Sequence, residues 1–242
     1  MTTPAYPYRR LLVSVDMERY SRQDNEAQYQ AQQIFQRVMQ AACDELELDR
    51  SRWSTQSGGD GELAIIPPDV PESRVVGELT AALDRLLAAE NRYRGDDRRI
   101  RLRVAVHEGL VHLDGAAGFP GDAVVTVCRL VNDPQLKAAL RSFPRANIAM
   151  IVSDVIYRSV VVPYGKPRPD RFRQVRAQIP EKDFGADAWI FVPDEDATGG
   201  APAGARHEAP PPGPAPGPAP TYSVDRVEGH NVALGNHNTF NR

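Results

Sequence analysis

The chain has 242 residues, 25% of them charged and 41% hydrophobic, which is enough apolar matter for one good core or two small ones. A formal net charge of −3 speaks against general nucleic-acid binding, and no apolar run reaches the length of a membrane span. The opening MTTPAYPYRR has no apolar leader region, so a cytoplasmic protein is expected, with Cys43 and Cys128 as buried thiols in a reduced compartment.

Apolar periodicity divides the chain into elements. RRLLVSVD, 9–16, reads as a short apolar strand. From Asn25 to Leu48, Ile34, Val38, Ala42 and Leu46 recur at helical spacing, with Phe35 and Met39 alongside. RWSTQS and ELAII are then two strands around a glycine-rich turn, and residues 72–92 form a second amphipathic helix. IRLRVAVHEG, 100–109, alternates as a strand, with LVHL as its expected hairpin partner. This β-α-β-β-α-β order predicts a ferredoxin-like α/β sandwich. GDAVVTVCRLVND and PQLKAALRS extend it as helices, the second with Pro134 suited to its first turn, and NIAMIV, FRQVRAQI and AWIFVP extend it as strands. The predicted body spans 8–193. A Pro/Gly/Ala-rich linker, expected to be disordered, covers 194–220, where eight of the twenty-two residues from Gly199 to Pro220 are proline. A short tail, 221–242, completes the chain.

In the ferredoxin-like topology the end of the first strand lies beside the hairpin between the second and third. Asp16 and Asp60 are therefore candidates to converge. Two carboxylates so close need a cation, or one takes a proton. Hard oxygen ligands suit Mg²⁺, which binds through one or two carboxylates plus substrate phosphates. Gly58, Gly59 and Gly61 around Asp60 are more than an Asp-Gly turn with positive φ needs, and would let a triphosphate approach the backbone. The same spacing also accommodates a turn aspartate and a helix N-cap aspartate that never meet.

Four stretches together resemble the class III nucleotidyl cyclases, which form 3′,5′-cyclic nucleotides from nucleoside triphosphates. VSVDMERYS is similar to their F-x-D-I-x-G-F-T strand, at Asp16, Met17, Tyr20 and Ser21, and QSGGD to their hairpin, at Gly59 and Asp60. RVAVHEG and GDAVVTVCRL resemble R-x-G-I-H-x-G and G-x-x-V-N-x-A-x-R-L, at His107, Gly109, Gly121, Val124, Arg129 and Leu130. The resemblance implies a cyclase fold and two Mg²⁺ or Mn²⁺ ions per site held by Asp16 and Asp60, with the Met17 carbonyl as an extra ligand. It also implies a head-to-tail homodimer, in which Arg129 stabilises transition-state charge in the partner's site.

The chain departs from the family pattern at several positions. The family asparagine that bonds the ribose is Val125 here, and losing one positioned donor typically costs about 10²–10³ in rate. The base-selecting positions fall on Gln56 and Gly118, which leaves the base open, a pyrimidine included. The late phosphate-binding lysine has no direct match, with Lys182 offset and Gln178 near its place. A non-catalytic nucleotide-binding or dimerisation adaptor is thus the alternative to an enzyme. His107 is expected to be structural, half-buried and satisfied by backbone. Glu108 and His112 are expected to be solvated, and Trp53 and Trp189 to pack in or beside the core.

VALGNHNTF, 232–240, has Val232 and Leu234 flanking Ala233, then Gly235, Asn238 and Phe240. It resembles the RIP homotypic interaction motif and its bacterial amyloid relatives, with Ala233 for the usual glutamine and Phe240 for methionine or leucine. A short, nearly uncharged segment with alternating apolar residues and stackable asparagines suits an in-register cross-β zipper. The combination implies a bacterial signalling or defence protein recruited to a partner that carries a similar motif.

Overall fold

The structure is a computed structural model, and it describes residues 6–198. The stretch 199–242, and with it the motif residues Val232, Ala233, Leu234, Gly235, Asn238 and Phe240, lies outside the described residues.

β1 (Tyr8–Met17), β2 (Ser54–Ser57), β3 (Gly61–Ile65), β4 (Leu102–Val111), β5 (Ile148–Ser153), β6 (Arg173–Ile179) and β7 (Phe184–Phe191) form one sheet, in the order β2-β3-β1-β4-β5-β7-β6. The first four strands have ferredoxin-like order and pair antiparallel. β5 adds in parallel to β4, and the β6–β7 hairpin closes the far side.

Alternation along β1 explains the two layers. Leu11, Val13, Val15 and Met17 enter the core beneath α1 (Asn25–Glu45) and α2 (Thr80–Asn91), while Leu12 enters the core beneath α3 (Asp122–Val131) and α4 (Pro134–Ser142). Asp16 belongs to the second face, because it shares the parity of Leu12. α1 begins where the Asp24 carboxylate accepts the Ala27 N–H at 2.8 Å. α4 begins where Asp133 caps Gln135 and Leu136, with Pro134 in the first turn. Residues 72–92 are not uniformly α-helical: Arg74–Leu79 is a π-helical turn that leads into α2. There Gly77 lies against the Lys166 carbonyl, with no room for a side chain.

Three expectations change. LVHL is not a returning hairpin strand, since β4 runs through Val111 and keeps pairing with Tyr8–Arg10 of the long β1. The last strand starts at Phe184, before AWIFVP, because Gly185 and Asp187 carry ladder positions opposite Gln178 and Arg176. The body also runs past 193: Ala197 is buried in the second core, and Arg171 Nη2 donates to the Glu195 carbonyl at 2.7 Å. Among the described residues, no helix is long and apolar enough to cross a membrane.

Candidate functional site

Asp16 is the last inward residue of β1 on the α3 face, opposite Gly61 on one side and Arg103 on the other. The Met17 N–H donates to the Asp60 carbonyl at 2.7 Å, which fastens the glycine hairpin to the end of β1. Asp16 and Asp60 thus line one open cleft of about 320 Å³, together with Ser14, Gln56, Cys128 and Asn132. Burial raises the affinity of the Asp16 carboxyl for a proton; the adjoining Arg103 opposes this and the Asp60 charge adds to it.

The glycines have different roles from those expected. None of Gly58, Gly59 and Gly61 adopts a positive φ. Gly61 is required by packing, since a Cβ there would lie 2.0 Å from the Val15 carbonyl oxygen, whereas Gly58 and Gly59 have ordinary room. Gly59, at the hairpin tip, and Tyr20, in the 3-10 turn after β1, are not in the cleft lining. Gln32 of α1 joins them, donating to the Gly59 carbonyl and to the Tyr20 hydroxyl, each at 2.8 Å.

Gln56 and Gly118, distant in sequence, come together. A Cβ on Gly118 would lie 2.7 Å from Gln56 Oε1, and Gly118 has φ +123°, so the Gln56 amide fills the space of a side chain at 118. Val125 and Arg129 do not line the cleft, whereas Val124, Cys128, Val131 and Asn132 of the same helix do. Val125 is 43% exposed, and the Arg129 guanidinium lies 5.3 Å from the centre of the Phe184 ring. Met17 buries its side chain in the first core. Gln178 gives its N–H to Asp133 at 3.1 Å; burial raises the pKa of the Cys128 thiol, and the Lys182 charge nearby opposes this only in part.

His107 is half-buried, but its partner is a side chain and not the backbone: Nδ1 lies 2.9 Å from Ser153 Oγ. Burial pushes its pKa down to about 4, which keeps the ring neutral. Trp53 is buried, and Trp189 stacks on Tyr157 at 3.7 Å while its Nε1 donates to Asp154. Cys43 is buried and its thiol is pushed up to about 11, whereas Cys128 is only half-buried.

Sequence reasoning missed Arg103, Lys137 and Gln32. Arg103 faces Asp16 across β1–β4 and ion-pairs with it, and Lys137 of α4 adds positive charge nearby. The alternation of RVAVHEG places Arg103 on the face of Ala105 and His107, but only the register of the ladder puts it opposite Asp16. Among the described residues no cluster of three His, Cys, Asp or Glu could hold a metal. Of the other groups lining the cleft, the Glu62 carboxylate is committed to Arg50 at 2.6 Å and burial raises the pKa of the Cys128 thiol, which leaves Asp16 and Asp60 as the hard donor set. That set fits a hard divalent cation that draws its remaining oxygens from water and phosphate.

The architecture is the class III nucleotidyl cyclase fold, a ferredoxin-like sandwich extended by a parallel strand and a terminal hairpin. The sequence matches no protein-family model, and no curated protein matches it. In solved structures the chain is similar to the adenylate/guanylate cyclase/hydrolase from Silicibacter pomeroyi, at 18% identity and TM-score 0.56, over 79% of this chain and 100% of that one. It is also similar to the guanylyl cyclase Cya2, at 11% identity and TM-score 0.53, over 78% and 93% of the two chains. Identities this low show a shared fold.

Proposed function

We propose that this chain converts a nucleoside triphosphate into a 3′,5′-cyclic nucleotide and pyrophosphate, as a homodimeric signalling protein. The observation that carries the reading is the meeting of Asp16 and Asp60 in one open cleft beside Gln56. In the reaction the ribose 3′-oxygen bonds to the α-phosphorus, its proton leaves, and the bond to pyrophosphate breaks. Asp16 and Asp60 would hold Mg²⁺ or Mn²⁺, with the Met17 carbonyl beside them. Such a cation lowers the pKa of the 3′-hydroxyl and neutralises phosphate charge. Gln56, whose amide both donates and accepts, faces the base, and Gly118 leaves it without a competing side chain. Arg129 points away from its own cleft and serves the site of a second copy, where it offsets developing negative charge.

Calorimetry with Mn²⁺ and each of the four nucleoside triphosphates tests the site. The native chain should bind one of them saturably, and Asp60→Asn should abolish that binding without loss of fold. Undiminished binding by Asp60→Asn would remove the reading.

A second reading, the non-catalytic nucleotide-binding adaptor, is favoured by one observation: exposed Val125 stands where the family places a ribose-binding amide. Binding without cyclic product would select it. In either reading the tail recruits the body to a homotypic amyloid partner. Val232 and Leu234 would share one side of a strand, and Asn236 and Asn238 would form amide ladders between stacked copies. The peptide 221–242 should form thioflavin-positive fibrils after a lag that seeding removes, and Gly235→Pro should block growth. A wild-type peptide that stays soluble and ignores seeds would rule the tail out as an amyloid element.

A further inference from the structure

Asp16 enters the cleft already paired. Arg103 stands directly across from it on β4, and Arg103 Nη2 donates to Asp16 Oδ1. The two side chains are only 11% and 17% exposed, so the contact is largely withdrawn from water. Removing one partner of such a pair leaves the other charge uncompensated. Arg103 is also only partly satisfied, because its Nε is buried with no acceptor. Lys137 supplies a second positive charge close to both groups. Asp60 differs: it is exposed, and its carboxylate accepts no hydrogen bond among the described residues.

We propose that Arg103 is an internal competitor for the cation, occupying Asp16 in the empty site and making cation binding depend on the triphosphate. This rests on the reading that Asp16 and Asp60 hold the cation. A cation arriving alone must take Asp16 from the guanidinium and leave Arg103 buried with no counter-charge. A cation arriving with a triphosphate brings phosphate oxygens, and a guanidinium donates to these in forked geometry as readily as to a carboxylate. The exchange then leaves no buried charge unpaired. Arg103 would be a positioning residue for Asp16 in the empty site and a phosphate ligand in the filled one.

The test uses the full chain with two probes, Mn²⁺ alone and the preformed complex of Mn²⁺ with inorganic tripolyphosphate, each measured by calorimetry. The native chain should bind Mn²⁺ alone weakly and the complex at least about tenfold more tightly. Arg103→Met, with its fold checked by circular dichroism, should bind Mn²⁺ alone at least about tenfold more tightly than the native chain, and gain little more from tripolyphosphate. Arg103→Lys, which keeps the charge, should behave like the native chain. Arg103→Gln keeps a hydrogen bond to Asp16 without the charge, and gives the same comparison if the Met variant does not fold. A folded Met or Gln variant with native affinity for Mn²⁺ alone would overturn the competitor role while leaving the site intact. If Mn²⁺ binding is indifferent to Asp60→Asn in the native and Arg103 variant backgrounds, the site reading falls, and this inference with it.

Discussion

Mixing Asp16→Ala chains with Arg129→Ala chains is expected to restore cyclic-nucleotide formation that neither supports alone. Arg129 does not line the cleft formed by its own Asp16 and Asp60 but lies over the Phe184 ring, on the exposed side of α3 that also carries Val125. A site that needs Arg129 must then draw it from a second copy. Arg129→Ala should lower turnover by about 10²–10³, the cost of one charge-stabilising donor. Asp16→Ala should remove it altogether. In a two-fold head-to-tail dimer each mixed pair regains one intact site of two. Random mixing should therefore recover about a quarter of native activity. Full activity in Arg129→Ala, or no recovery on mixing, would separate Arg129 from the reaction.

The largest effect on stability is expected at Gly61. A Cβ there would lie 2.0 Å from the Val15 carbonyl oxygen and 3.0 Å from the Asp16 Cα, both main-chain atoms of the neighbouring strand. Neither can turn aside as a side chain can, so β3 would have to part from β1 at the Asp16–Gly61 position. Gly61→Val should cost about 3 kcal/mol or more. For a body of this size that lowers Tm by roughly 6–12 °C. Gly59→Ala, with ordinary room around it, should leave Tm within about 2 °C. Equal melting of the two variants would show that the strands tolerate the contact.

The parts of the fold legible in sequence are those with a strong local period. β1, α1, α3 and α4 announce themselves through apolar alternation or helical spacing, reinforced by Pro134 at a helix start. LVHL misleads because Gly109 looks like a turn, while the unusual length of β1 gives β4 a partner through Val111. The start of β7 is hidden because Gly185 and Asp187 are poor strand formers, held in place by the β6 ladder. At the site, the meeting of Asp16 and Asp60 comes from topology, since adjacent strand ends must be neighbours. The pairing of Asp16 with Arg103 depends on register, and local pattern does not specify the register between strands so far apart in the chain. The contact of Gln32 with Gly59 and Tyr20 is likewise tertiary, made by a polar residue on a helix whose apolar stripe alone is readable.

The most direct test of the central claim is product formation by the purified full chain. Incubated with Mn²⁺ and each of the four nucleoside triphosphates, and analysed by mass spectrometry, it should yield one 3′,5′-cyclic nucleotide and pyrophosphate in equal amounts. Asp60→Asn should yield neither. The absence of cyclic product from every triphosphate, or the same product from Asp60→Asn, would contradict an Asp16–Asp60 cyclase site.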